Sequence, residues 1–284
     1  MAERRAAVAA GDPAVLAAAR EVLLAGGNAF DAAVAGGFAS ALAEPALTSL
    51  GGGGFLLAHP AEGRPVLHDF FVDAPGRGRS ETLLERHFVP VTVRFPGAEQ
   101  VFNAGFGSCA TPGVLAGLLR IHALLGRLPL AAVTAPAVRL ARDGVALGRH
   151  QASLLGLLEP IFLLRPEGRR LFAPEGHLLR AGECHRNAEL ADFLESLPDS
   201  AEDFYPGDTA RRIERDMDRG DGWITRRDLE AYRVIERAPL APACGAGAST
   251  RTRRPRAEAH SSHSRSHSSR RCQTPSPNPS DSRR

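Results

Sequence analysis

After Leu240 the chain contains no Val, Ile, Leu, Met, Phe, Tyr or Trp, and that break bounds what the rest of it can fold into. A core forms by removing large apolar side chains from water, so residues 241–284 have nothing with which to build one. They hold ten Ser, five Pro and nine Arg against two acids, Glu258 and Asp281, a balance of +7. Residues 1–240 hold 26 Arg against 30 acids, a balance of −4, so the net +3 of the chain does not describe a basic protein. The expected organisation is a folding region over 1–240 and a disordered Arg/Ser/Pro-rich tail over 241–284. All 35 basic residues are Arg and none is Lys, a bias that points to a GC-rich gene before any selection for guanidinium chemistry.

No apolar run approaches the roughly 18 residues needed to span a bilayer, because Gly, Pro or charge interrupts each one. Arg4 and Arg5 precede only a short Ala-rich stretch that Gly11-Asp12-Pro13 halts, too brief for a secretory signal. No membrane association and a cytoplasmic location are therefore expected. Cys109, Cys184, Cys244 and Cys272 lack CxxC spacing, so reduced structural thiols are expected, with no disulfide framework, metal site or cofactor.

The spacing of Val15, Leu16, Ala19, Val22 and Leu23 predicts a helix over 13–25, with Pro13 in its first turn and Gly26-Gly27 at its end. Asn28 is placed to cap a second helix, with Asp31 at its third position, running to about Leu42. Its run of Ala and Gly predicts close packing and burial, and Glu44-Pro45 ends it. Four glycines, Gly51 to Gly54, then lead into a strand over 55–59, and the turn 60–63 connects it to a second strand over 65–72. Residues 80–107 carry no clear periodicity. Helices are predicted over 114–125, 133–142, 147–164, 187–197, 208–219 and 226–232, the last capped by Thr225. Residues 165–182 read as loop with room for a short strand.

The glycine run suggests a phosphate cradle, but a P-loop needs Gly-Lys-Ser/Thr opening a helix, and a dinucleotide fingerprint runs strand, glycines, helix. Here the order is helix, glycines, strand. A tight connection into a buried strand fits better, since glycine alone tolerates positive φ at successive positions. A hydrolase triad from Ser49 or Ser108 with His59, His68 or Asp69 lacks the nucleophile elbow, because Gly107-Ser108-Cys109-Ala110-Thr111 does not follow Gly-x-Ser-x-Gly. Cys184-His185 is adjacent in sequence, where side chains diverge, so no thiolate–imidazole pair is expected. His260, His263, His267 and the tail arginines could in principle hold a metal or phosphates. Without an aromatic residue for base stacking or a helix-forming run, nucleic-acid binding is not expected.

Read in order, these segments resemble the N-terminal, large-subunit region of the γ-glutamyltransferases (γ-glutamyl transpeptidases, glutathione hydrolases). The resemblance rests on Ala7-Val8-Ala9-Ala10, on Gly26-Gly27-Asn28-Ala29-Phe30-Asp31-Ala32-Ala33-Val34-Ala35, and on Glu44-Pro45 followed by Ser49-Leu50-Gly51-Gly52-Gly53-Gly54-Phe55. It continues through Thr111-Pro112-Gly113-Val114-Leu115-Ala116-Gly117, Gly126-Arg127-Leu128-Pro129 and Pro136 to Gly144. Phe204-Tyr205-Pro206-Gly207-Asp208-Thr209-Ala210 and Gly222-Trp223-Ile224-Thr225-x-x-Asp228-Leu229-x-x-Tyr232 complete it, so order and spacing hold from about residue 7 to 240. The resemblance implies an α/β fold, the αββα sandwich of N-terminal-nucleophile hydrolases, incomplete in this chain. It also implies a precursor that cuts itself before an internal Thr, whose hydroxyl attacks the γ-glutamyl amide with its own α-amine as base. Backbone amides of a Gly-Gly pair would stabilise the oxyanion.

Two departures bear on function. In the family, an Arg that grips the donor's α-carboxylate precedes an x-Ala-Pro sequence; here Phe71-Val72-Asp73-Ala74-Pro75 puts Phe71 in its place, and a neutral ring cannot supply that charge-assisted fork. Arg77 and Arg79, in the following loop, are the candidate substitutes for binding substrate. The nucleophilic Thr and oxyanion glycines follow the point where the resemblance ends, and Thr250, Thr252 and Thr274 lack their surrounding motif, so no catalytic residue is assigned. A frameshift is the expected origin of the tail: back-translating 255–264 with assumed GC-rich codons and starting at the third base gives Pro-Gly-Gly-Ser-Pro-Leu-Val-Ala-Leu, the order the resemblance implies for a family member. The expected protein is thus γ-glutamyltransferase-like, with transfer or hydrolysis of the γ-glutamyl group of glutathione and related amides as its family chemistry, in a truncated and catalytically incomplete form. Missing strands would leave an open sheet edge and poor solubility. Its partners would be a γ-glutamyl small molecule and a small-subunit chain. Three other readings stay open: a complementing subunit that needs a separate small-subunit chain, a related acylase with another substrate, and a non-catalytic nucleic-acid binder acting through the basic tail.

Overall fold

The computed structural model describes residues 6–79 and 88–240; the disordered tail and the frameshift expected over 241–284 lie outside them. The chain divides into two units, Met1–Thr252 and Arg253–Arg284, and every described residue lies in the first. Among the described residues, no helix is long and apolar enough to cross a membrane.

The first helix, α1 (Pro13–Leu24), begins where sequence places it: Asp12 accepts from the Ala14 N–H at 2.7 Å, and Pro13 occupies a position that needs no donor. It buries Val15, Ala18, Ala19 and Val22 against α2 (Ala29–Ala43). The latter is apolar nearly all round and lies inside the domain, with Val34, Ala35, Phe38, Ala39 and Leu42 fully buried. Its N-terminus is a capping box: the Asn28 side chain accepts from Phe30 and Asp31 N–H, and the Asp31 carboxylate accepts from the Asn28 N–H at 2.8 Å.

Strands β1 (Gly54–Ala58) and β2 (Val66–Phe70) pair antiparallel with Gly54 opposite Phe70. A short β7 (Ile235–Arg237) joins the other side of β2, giving a three-stranded sheet in the order β1-β2-β7. Helix α3 (Val114–Leu125) lies across one face of this sheet, and its approach depends on small residues. A Cβ at Gly117 would run into the Phe70 ring, and one at Gly113 into the Phe70 carbonyl and the Tyr232 hydroxyl. Helix α4 (Leu130–Asp143) packs on α2 and on α8 (Ala188–Ser200), whose Asn187 caps it by accepting from Leu190 N–H. Phe38, Leu42, Leu115, Ile121, Leu194 and Leu197 fill this core, and each such side chain contributes about 1.5–3 kcal/mol of burial.

Three departures from the sequence reading have local causes. The stretch left unassigned over 80–107 contains a hairpin, β3 (Val89–Phe95) and β4 (Ala98–Ala104), turned by Pro96-Gly97 with Gly97 at φ 82°. Val91 and Val93 alternate inward, but β4 is mostly exposed, so its apolar signal is weak. The single helix expected over 147–164 is two, α5 (Arg149–Leu157) and α6 (Glu159–Phe162), because Pro160 cannot continue the hydrogen-bond ladder of the first. The loop expected over 165–182 contains α7 (Pro166–Phe172) and no strand; it lies between the two strands of a two-residue ladder, β5 (Val145–Ala146) and β6 (Cys184–His185). Phe162, Phe172 and Leu178 close over Leu147, Leu155 and Leu179 to form a small separate core. Helices α9 (Asp208–Arg219) and α10 (Arg226–Ala231) form another around Ala210, Met217, Ile224 and Leu229.

Candidate functional site

The glycine run is a packing device. Gly52 carbonyl accepts from both Gly113 N–H (2.9 Å) and Val114 N–H (3.0 Å), which ties the turn after α2 to the start of α3. A Cβ at Gly53 would strike the backbone of Phe71 and Val72, and one at Gly54 would meet the Phe70 ring at 2.7 Å. Only hydrogen fits where these segments pass each other. The result is a cleft of about 510 Å³ beside the edge of β1, with Phe55, Leu56 and Leu118 as apolar wall and Ser40, Thr48 and Ser49 as polar wall. Ser40 and Thr48 hydroxyls lie 3.2 Å apart, and Ser40 donates to the Gly37 carbonyl.

Strand β2 carries the segment beside this cleft. Asp69 is buried and accepts from Phe71 N–H at 3.1 Å and from Arg237 Nε at 2.7 Å, an ion pair that ties β7 to β2. The Phe71 carbonyl accepts from the Tyr232 hydroxyl at 2.8 Å. Tyr232 stacks on Tyr205, with centroids 5.7 Å apart, and Tyr205 donates to the Pro112 carbonyl and accepts from Ala116 N–H. Burial pushes Tyr205 up to about 12. Burial also raises Tyr232, with Tyr205, Asp69 and Asp73 adding to it. Both phenols therefore stay protonated at neutral pH and hold backbone in place instead of serving as bases. The side chain of Phe71 turns outward, 51% exposed, and stacks on the 36% exposed Phe55 at 5.5 Å with 14° between the rings.

Beyond Phe71, Asp73 bridges Thr111 by two backbone hydrogen bonds, and the chain turns into the loop of Gly76 to Arg79. Asp228, buried at the third position of α10, holds that loop. Its carboxylate accepts from Gly76 N–H and Arg77 N–H, each at 2.9 Å, while capping Thr225 through its N–H and hydroxyl, each at 2.8 Å. The Thr225 hydroxyl also reaches the Arg77 carbonyl at 3.0 Å. Both candidate arginines sit in this loop. Arg77, half-exposed, donates to Asp73 at 2.7 Å and has its Nε 3.8 Å from Asp228. Arg79, 13% exposed, donates to the Trp223 carbonyl at 3.0 Å and to Asp218 at 2.8 Å. Sequence reasoning gave no role to Tyr205, Tyr232 or Asp228; the Thr-x-x-Asp capping box was the available signal for Asp228.

The remaining sequence candidates do not assemble. His68 and Asp69 are adjacent on a strand and point to opposite faces. The Ser108 hydroxyl donates to the Gly105 carbonyl. In β6, Cys184 is exposed and His185 buried, so they face apart as expected. Among the described residues no group of three or more His, Cys, Asp or Glu is placed to hold a metal ion.

Residues 16–248 match the family model described as Gamma-glutamyltranspeptidase. The chain is 34% identical over 223 residues to the glutathione hydrolase proenzyme of Escherichia coli, covering 78% of this chain and 37% of that protein. It is 31% identical over 237 residues to the Acylase ACY 1 proenzyme of Pseudomonas sp. strain SE83, covering 83% of this chain and 42% of that one. The fold superimposes on the γ-glutamyltranspeptidase crystal structure of Helicobacter pylori with a TM-score of 0.75 and 30% identity, over 89% of this chain and 72% of that chain. The chain thus spans about two-fifths or less of the length of these curated relatives.

Proposed function

Because the chain belongs to the γ-glutamyltranspeptidase family, we propose that its folded region is the donor-side part of a two-chain amidase or acyltransferase of the γ-glutamyl type, acting when a small-subunit chain supplies the nucleophilic Thr. The observation that carries this reading is the family match over residues 16–248, a region that spans 37% and 42% of the two curated proenzymes above. The cleft beside Gly52 to Gly54 is where the acyl donor would lie. The Thr hydroxyl would attack the acyl carbon, the C–N bond would break, and the amine would leave with the proton taken up by the Thr α-amine; water or an amino acid would then release the acyl group. The described residues contribute a rigid wall to that chemistry. Its backbone carbonyls and amides at 52, 71, 112 and 113 are already paired within the fold, so the geometry is set before any ligand arrives.

The test is release of p-nitroaniline from γ-glutamyl-p-nitroanilide by the full chain, alone and after co-expression with the small-subunit part of a family member. Release by the pair and none by the chain alone is the expected result. Release by the chain alone would remove the need for a second chain, and no release from γ-glutamyl- or phenylacetyl-p-nitroanilide by a pair that co-purifies would overturn the reading.

A further inference from the structure

We propose that the stacked Phe55–Phe71 pair is the acyl-recognition platform of the cleft, and that it takes a donor whose acyl chain ends in an uncharged flat or apolar group in preference to a charged amino-acid head. This rests on the reading above, that the cleft holds the donor, and narrows it to a substrate class. Three observations carry it.

The first is the pair itself. Phe71 and Phe55 are large apolar side chains that keep half and a third of their surface in contact with solvent. Phe55 projects from β1 and forms part of the cleft wall, and Phe71, the residue that follows β2, stacks on it. Their backbone is pinned: Phe71 N–H donates to Asp69, the Phe71 carbonyl accepts from Tyr232, and the Gly53 backbone lies directly against it. A pinned, solvent-facing pair of rings is pre-organised to add a third ring or a methylene chain without ordering anything further.

The second is charge. Arg237 and the two candidate arginines downstream of Phe71 are each held by a carboxylate: Arg237 by Asp69, Arg77 by Asp73, and Arg79 by Asp218. A donor α-carboxylate brought to Phe71 would have to displace one of them, and Arg79 is too enclosed by the Trp223 and Ile224 carbonyls to swing out. The third is the polar wall opposite. Ser40, Thr48 and Ser49 offer neutral hydroxyls, suited to an amide and not to a full charge.

The experiment is equilibrium binding of N-phenylacetylglycine and of glutathione to the full chain by calorimetry, with Phe71→Arg and Phe55→Ala alongside. Both side chains are exposed, and circular dichroism with thermal unfolding verifies that the variants remain folded. N-phenylacetylglycine is expected to bind at least about tenfold more tightly than glutathione, and each variant to weaken it about three- to tenfold. Phe71→Arg should also bring the two ligands to comparable affinity. Tighter binding of glutathione to the unaltered chain would overturn the proposal, as would phenylacetyl binding that neither variant changes, or no binding of either ligand. The two readings fail separately. Cleavage of γ-glutamyl-p-nitroanilide by the two-chain pair with no ring-dependent binding removes the platform and leaves the amidase. Ring-dependent binding with no cleavage of either γ-glutamyl- or phenylacetyl-p-nitroanilide does the reverse.

Discussion

Asp31 and Asp228 are the same device used in two places. Each is a fully enclosed carboxylate at the third position of a helix, each completes a capping box with the residue before that helix, and each reaches past it to the backbone of a distant loop. Asp31 accepts from Arg127 N–H at 2.9 and 3.1 Å, and Asn28 donates to the Leu125 carbonyl at 2.6 Å, so the start of α2 is stapled to the α3–α4 connection. Asp228 staples the start of α10 to the loop of Gly76 to Arg79 beside the cleft. What differs is the setting. The loop held by Asp31 closes over the main core, with its Leu128 beside Gly27; the loop held by Asp228 is at the surface and carries a guanidinium 3.8 Å from the carboxylate. A buried acid within a motif thus need not be catalytic: buried backbone N–H groups must find acceptors, and a carboxylate that satisfies several at once fixes a loop's position.

The largest effect is expected at Asp31. Asp31→Ala leaves the N–H groups of Asn28, Arg127 and Leu128 without their acceptor, at a cost of about 3–4 kcal/mol. Urea unfolding should show this as a lower midpoint for the whole transition; an unchanged midpoint would mean that water replaces the carboxylate there. Asp228→Ala removes an acceptor from four donors, but its loop can open to solvent, so the global loss should be smaller, about 2 kcal/mol. Hydrogen exchange should then accelerate selectively at Gly76 and Arg77. If it accelerates equally across α2 and α3, the two staples are not separable and the contrast drawn between core and surface fails.

How much of this was legible in sequence follows the same division. Asn28 with Asp31 and Thr225 with Asp228 are local patterns, and their helices begin where those residues predict. The strands on either side of 60–63 were legible for the same reason, as was the family, since its motifs are the staples and close approaches themselves. The partners of Asp31 and Asp228 lie 96 and about 150 residues away, and nothing local announces them. The outward turn of Phe71 was equally hidden: sequence marks it as an unusual residue, but its stacking on Phe55 depends on the β1–β2 register. β4 escaped because a strand with most side chains in solvent has no alternation to read, and α7 because seven residues around two arginines look like loop.

A third effect separates the core from the surface by pH. His185 is buried and stacked on Phe172; its Nδ1 lies 3.0 Å from the Leu42 carbonyl, so Nδ1 carries the proton, and Nε2 is buried with no hydrogen-bond partner among the described residues. A second proton would have no acceptor, and burial lowers the folded-state value below 6.5. The sign follows: below 6.5 the unfolded chain binds a proton that the folded chain resists, so stability is full above that pH and is lost as pH falls toward the folded value. His68, also lowered chiefly by burial, acts in the same direction. Unfolding midpoints should therefore fall between pH 7.5 and 5.5, and His185→Leu should flatten but not abolish that slope. A slope unchanged by the substitution would assign the effect elsewhere.

The smallest effect decides whether the two staples are one device. Asp31 is held by backbone N–H groups alone among the described residues, whereas Asp228 has the Arg77 guanidinium beside it. If charge pairing mattered to Asp228, Arg77→Ala would approach Asp228→Ala in cost. The geometry argues otherwise: Nε is 3.8 Å away, Arg77 is half-exposed, and its short contact goes to Asp73, which is itself about half-exposed. Solvent screens such a pair to about 0–1 kcal/mol, while the N–H groups that hold Asp228, including that of Arg77, survive the substitution. Arg77→Ala is thus expected to lower stability by less than about 1 kcal/mol and to leave exchange at Gly76 protected. A loss equal to that of Asp228→Ala would make the surface staple an ion pair, different in kind from the one at Asp31.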